Sequence, residues 1–125
     1  MKNINVVNET RPLSAPLQAG YCVSFWCRLR GFSFRRTIPK DWGLLVVEPK
    51  ESLYYSTIHM FGVFFDLGIV WINESGEVVD HCVAKRWISI KAPKRPAKYM
   101  LEIVPTRIEE FQIGDRIRFE QAPVN

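Results

Sequence analysis

A chain of 125 residues, 47% hydrophobic and 13% aromatic, has the composition of one globular domain that buries roughly two-thirds of its unfolded surface. That composition excludes a disordered chain. The formal net charge of +4 favours anionic partners weakly and identifies none. Met1-Lys2-Asn3-Ile4-Asn5 lacks an apolar core of signal-peptide length, so no export is expected. The odd count of cysteines, Cys22, Cys27 and Cys82, reads as free thiols, and the expected location is cytoplasmic.

In chain order, Ile4 to Val7 suits a short edge strand, and Thr10 to Gly20, with Pro12 and Pro16, reads as a loop. Tyr21 to Arg30 alternates: Val23, Phe25, Cys27 and Leu29 share one face, and Ser24, Trp26, Arg28 and Arg30 the other. This predicts a half-buried strand with a basic, Trp-bearing outer face. Trp42 to Val47 predicts a buried strand ended by Pro49, and Ser52 to Ser56 fits either a loop or one helical turn. The run from Met60 to Ile72 is too short to span a membrane as a helix. Its glycines and phenylalanines predict one or two strands bent at a glycine. Ile69 to Ile72, the turn Asn73-Glu74-Ser75-Gly76, and Glu77 to Val83 read as a hairpin.

Ala92 to Ala97, with Pro93 and Pro96, predicts an extended loop, followed by a strand over Tyr99 to Val104. Thr106 and Glu109 have capping-box spacing for a short helix near residues 107–112, with Ile108 and Phe111 inward and Gly114 near its end. Asp115 to Phe119 predicts the last strand. The expected fold is mainly β, a compact single-domain barrel or sandwich with one short helix. Residues 1–20 supply the N-terminal edge strand and loop, 21–120 the β core and 121–125 a frayed tail.

Several blocks in this order resemble the family known as domain of unknown function 192. They are Arg30-Gly31-Phe32, Arg35 to Pro39, Gly43 to Leu45, Ile58 to Phe61, Gly76 to Val79, Ala97 to Glu102 and Gly114 to Ile117. The resemblance spans about residues 26–119 and implies a mainly β single domain, with no activity attached. Members commonly carry an Asp where this chain has Gly68, whereas here an Asp, Asp66, stands two residues earlier.

Asp66 interrupts apolar sequence, and a carboxylate there needs donors or a cation. It reads first as an Asp accepting backbone amides at a bend, and second as a pocket carboxylate with a shifted pKa. His59 reads more readily as a packed core histidine than as a partner of Asp66. Cys22 and Cys27 fall on opposite faces of a regular strand, which argues against a metal pair, and neither a metal site nor a cofactor is expected. No nucleophile elbow or phosphate-binding glycine loop is present.

Residues 28–40 carry five basic side chains and no acidic one, and residues 85–98 carry six and none. With Trp26, Phe32, Phe34 and Trp87 nearby, they suit an anionic ligand or, more weakly, nucleic acid. A solvated basic face with the aromatics turned inward is the plainer account. The function expected is a small non-catalytic binding module, with Arg28, Arg30, Lys85 and Arg86 as anion-binding candidates. The alternatives are a small enzyme using His59 and Asp66, or a protein-interaction domain exposing Trp26 or a strand edge.

Overall fold

The computed structural model describes residues 2–121. In chain order it contains β1 (Asn3–Asn8), β2 (Gln18–Cys22), α1 (Phe25–Arg30), β3 (Trp42–Ser52), β4 (Ile58–His59), β5 (Leu67–Ile72), β6 (Val78–Ala84), β7 (Ile90–Lys91), β8 (Ala97–Ile103), a 3-10 helix (Pro105–Glu110) and β9 (Ile117–Gln121). Seven strands form one curled sheet in the order β6-β5-β8-β3-β2-β1-β9, and β4 pairs with β7 apart from it. The fold is mainly β, as the sequence predicts. The curl makes a half-barrel whose ends approach at one corner. There Glu77 bridges Arg116, and the Val78 amide donates to the Asp115 carbonyl at 2.9 Å.

The strands alternate side chains between two faces, and both faces are covered. Inside the curl, Leu45, Val70, Leu101 and Ile103 pack with Ile108 and Phe111 from the 3-10 helix and the turn after it. On the other face, Leu44, Val46, Leu67, Ile69, Trp71 and Met100 pack beneath Phe32, Ile58, Met60 and Val63. That second layer is built by the crossover between β2 and β3 and by the segment around β4. The crossover is required because β2 and β3 are parallel neighbours, which a tight hairpin cannot join.

The crossover overturns one expectation. Residues 21–30 are not a strand: β2 ends at Cys22, and α1 begins after Ser24. The Ser24 hydroxyl caps the helix by accepting from the Cys27 amide at 3.1 Å, and Gly31 closes it at φ +50°. Alternation over these residues misleads because a single helical turn also brings apolar residues to one side. The expected loop over 10–20 ends earlier, since Gln18 to Gly20 already belong to β2.

Three further corrections follow from pairing. β1 is interior, with β2 and β9 on its two sides, so it is not an edge. Pro49 does not end its strand: β3 continues to Ser52 through a register shift after Val47, where no ladder amide is needed from proline. Thr106 makes no capping bond, because the turn begins at Pro105 and closes as a 3-10 helix. The hairpin forms as expected, with Gly76 at φ +91° and the Asn73 side chain accepting from the Ser75 and Glu77 amides. Gln121 closes β9, and the rest of the expected tail lies outside the described residues.

Arg107, 6% exposed, ties three segments together. It donates to Glu110 at 3.0 and 3.1 Å, to the Ala15 carbonyl at 2.6 Å and to the Lys40 carbonyl at 3.0 Å. Removing one partner of a buried pair strands the others. Arg107→Ala is therefore expected to cost about 3 kcal/mol in urea unfolding. By contrast Arg95→Ala, which removes an exposed pair with Glu77, changes stability by less than about 1 kcal/mol. Equal effects of the two substitutions would refute this account.

Candidate functional site

Between the sheet and the crossover lies a cleft of about 330 Å³. Its floor is the outer face of β3 and β8, its roof is α1, and one wall is the segment around β4. The pairing of β3 with β8 sets the floor, because Leu44 lies opposite Glu102 and Val46 opposite Met100. Glu48 lines the cleft farther along β3, so Val46 and Met100 separate two carboxyl groups. Phe25, Leu29, Phe32, Val63 and Leu67 supply apolar walls. The Trp71 indole donates to the Ser56 carbonyl at 2.7 Å and so fixes the segment carrying Tyr55 and Thr57. The Phe34 amide donates to the Gly62 carbonyl at 2.7 Å, joining the crossover to the turn after β4.

The two carboxyl groups differ in environment. Glu48 lies 3.9 Å from the Arg28 guanidinium; burial raises its pKa and Arg28 opposes the rise. Glu102 is 4% exposed, and no hydrogen bond or ion pair from the described residues reaches its carboxyl. Burial pushes it up to about 8, so at neutral pH it carries its proton and can donate. The Glu102 oxygens face Gly31, where an added Cβ would stand 3.6 Å from Oε1. Arg28 also donates to the Val23 carbonyl at 2.8 Å. Arg30 lines the same cleft and has no ion pair among the described residues.

The anion-binding candidates separate. Arg28 and Arg30 come together at the cleft, in the last turn of α1. Lys85 and Arg86 follow β6 and engage Asp66 at 3.5 and 3.2 Å. Asp66 also accepts the Arg86 amide at 3.0 Å, the bend arrangement expected first. That backbone bond, aided by the Arg86 side chain and Lys85, lowers its pKa. His59 is exposed rather than packed in the core, and it lines the cleft. No hydrogen bond or ion pair joins it to Asp66, so the structure does not assemble that dyad.

Gly68 packs tightly. A Cβ there would meet Ile103 Cγ1 at 3.3 Å and Ile108 Cδ1 at 3.4 Å. A side chain at this position requires those neighbours to give way, whereas Asp66 stands just before the strand, where basic partners reach it.

The cysteines also differ from expectation. Cys22 and Cys27 form a disulfide with their Cα atoms 5.6 Å apart, because α1 turns the chain back instead of extending it. The bond fastens the roof helix to the end of β2. Cys82 stays free, and burial pushes its thiol up. Among the described residues, no three His, Cys, Asp or Glu side chains group closely enough to hold a metal ion. No helix among them is long and apolar enough to cross a membrane.

Glu102 is the residue that sequence reasoning missed. Its signal was legible, a carboxylate within the apolar stretch Tyr99 to Val104, which is the same kind of interruption that drew attention to Asp66.

The model of DUF192, described as an uncharacterized ACR, matches residues 6–119. The chain belongs to this family. A DUF192 relative from Thermococcus kodakarensis, a UPF0127 protein, is 30% identical over 114 residues, covering 90% of this chain and 71% of the relative. A UPF0127 protein of Pyrococcus furiosus is 29% identical, covering 93% of this chain and 98% of its own. Among solved structures, a Sinorhizobium meliloti protein described as a proposed transcription regulator superposes with a TM-score of 0.79 at 17% identity, covering 94% of this chain and 92% of that one. A Novosphingobium aromaticivorans protein of unknown function superposes with a TM-score of 0.73 at 15% identity, covering 93% and 83%. At these identities the structures establish the fold alone. DUF192 is a family of unknown function, and membership carries no activity with it.

Two outcomes are expected from the site chemistry. The Glu102 carboxyl has a folded pKa of about 8, above the ordinary 4.5, so between these values the native state holds the extra proton. Its stabilising contribution is full below about 4.5 and is lost as pH rises to about 8. Glu102→Gln should remove up to about 1.4 kcal/mol per pH unit from the slope of stability across that window. An unchanged slope would show that Glu102 ionises normally. Separately, reducing the six-residue loop closed by Cys22 and Cys27 should cost about 2 kcal/mol, seen as a drop in Tm of about 5–10 °C. Reduction that leaves Tm unchanged would mean the roof helix does not depend on the bond.

Proposed function

We propose that this DUF192 protein is a small non-catalytic binding module that takes an anionic ligand in the cleft beneath α1. The observation that carries the reading is the convergence of Arg28 and Arg30 on an apolar cleft of about 330 Å³. Concave, mostly apolar sites with a few convergent polar groups are where small ligands bind. Arg30 has no ion pair among the described residues and can meet an incoming charge, whereas Lys85 and Arg86 already pair with Asp66 and stand apart from the cleft lining. The enzyme alternative loses support because Asp66 is engaged by Arg86 and Lys85 and no hydrogen bond joins it to His59.

The test is a nitrogen-15 NMR titration with small organic carboxylates, phosphates and sulfonates. Shifts are expected at α1, at β4 and at the cleft end of β8, and Arg30→Ala should weaken binding about tenfold. Shifts confined to Lys85 and Arg86, or none at all, would overturn the assignment. A protein interface is the second reading, favoured by Trp26 at 74%, Tyr54 at 83% and Ile88 at 84% exposure. Line broadening that grows with protein concentration would mark it.

A further inference from the structure

The anion reading leaves one group in the cleft unused. Glu102 sits on a strand paired on both sides, opposite Leu44 and Ile69, and its carboxyl faces a cavity with no partner among the described residues. Among the described residues no fully enclosed side-chain oxygen lacks a partner, so the Glu102 carboxyl keeps contact with the space of the cleft that it lines. A ligand bonded to it there takes the place of water.

The surroundings narrow the choice. From the roof, Arg28 and Arg30 bring two positive charges; from β3, Glu48 brings one negative charge, already beside Arg28 at 3.9 Å. From the wall come His59 and the Tyr55 phenol. The side chains that β5 contributes, Leu67 and Ile69, carry no charge. The arginines and Glu48 leave an excess of positive charge, which opposes an ammonium ligand and suits an anion. Burial, and not these charges, raises the Glu102 pKa and keeps its proton in place at neutral pH; the arginines act in the opposite direction. A protonated carboxyl is a strong donor to a carboxylate oxygen.

We infer that the cleft selects a small apolar monocarboxylate, one oxygen of which accepts a hydrogen bond from the Glu102 carboxyl. The arginines of α1 balance its charge, and Phe25, Leu29, Val46 and Met100 cover its apolar body. This inference deepens the anion-binding reading and rests on it. Proton balance is simple: the ligand enters ionised, Glu102 stays protonated, and no proton is taken up below the pKa of Glu102. Above it, binding must first restore that proton.

The experiment uses phenylacetate as probe, with phenyl phosphate, benzenesulfonate and benzylamine as isosteric alternatives. Affinities are read by nitrogen-15 NMR on the intact chain, at low and high pH. Phenylacetate should bind most tightly, with Kd rising about tenfold between about pH 6.5 and about pH 9. Glu102→Gln, which keeps a donor without a titratable proton, should retain binding and lose the pH dependence. Glu102→Leu should lose binding while its spectrum stays dispersed. Arg30→Ala should weaken binding at both pH values and keep the ratio between them. Tighter binding of benzylamine, with affinity rising with pH, would overturn the inference in favour of a cation site. The same pH dependence in Glu102→Gln would also overturn it. If phenyl phosphate or benzenesulfonate binds through Arg30 and phenylacetate does not, the carboxylate inference fails and the anion site stands. If no anion perturbs the cleft, both fail.

Discussion

The register of β8 between β3 and β5 is the constraint on which the rest of the molecule depends. Met100 to Ile103 are all buried, with a strand paired on each side. A slip of one residue would exchange the two faces. Leu101 and Ile103 would leave the interior of the half-barrel, and Glu102 would enter it among Val70, Ile72 and Phe111. The hydrophobic pattern of three adjacent strands opposes such a slip. The same pattern fixes the one carboxyl of β8 on the face that the crossover roofs. The site is thus positioned by backbone pairing in the interior of the sheet, and only its roof comes from a helix.

That roof has a different physical basis. None of the six residues of α1 is buried, so the helix gains little from packing. It is held at its start by the Ser24 cap, in its middle by the Cys22–Cys27 disulfide, and at its end by Gly31 and the buried Phe32. Arg28 reaches down to Glu48, and the following loop is bonded to the turn at Gly62. A helix fastened by a few bonds instead of a packed face leaves space beneath it. The cleft is a consequence of that arrangement. The disulfide also removes the argument from free thiols to a reducing compartment.

The buried charges of the molecule fall into two kinds. Arg107 with Glu110, and Asp115 with Arg11 and Asn8, are saturated with hydrogen bonds and connect loops that the sheet alone would not hold. Burial acts on Asp115 to raise its pKa, yet the combined donors from Arg11, Asn8 and the Gln112 amide lower it. Glu102 is the opposite case, a buried carboxyl on which burial acts unopposed. Saturated groups of this kind stabilise the fold, whereas an unsaturated one beside a cavity is available to a ligand. This difference separates Glu102 from Asp115, with Glu48 between them, raised by burial and opposed only by Arg28 at 3.9 Å.

Local rules read from the sequence by itself determined the mainly β class, the Asn73–Gly76 hairpin, the strand around Tyr99 to Ile103, the inward Ile108 and Phe111, and the kinship with DUF192. Each rests on residues near one another in the chain: a turn that needs a glycine, a run of β-branched side chains, ordered blocks. Only the tertiary structure decided that residues 25–30 are helical, that Cys22 meets Cys27, that β1 is interior, and that Asp66 belongs to Arg86 instead of His59. A six-residue segment alternates almost as well for a strand as for one turn and a half of helix, so the crossover, demanded by parallel pairing of distant strands, settles it. Glu102 was visible as a letter among apolar neighbours, but its meaning was not. Whether a carboxyl on a buried strand meets a cation, a backbone amide or an empty cleft depends on what other parts of the chain place opposite it.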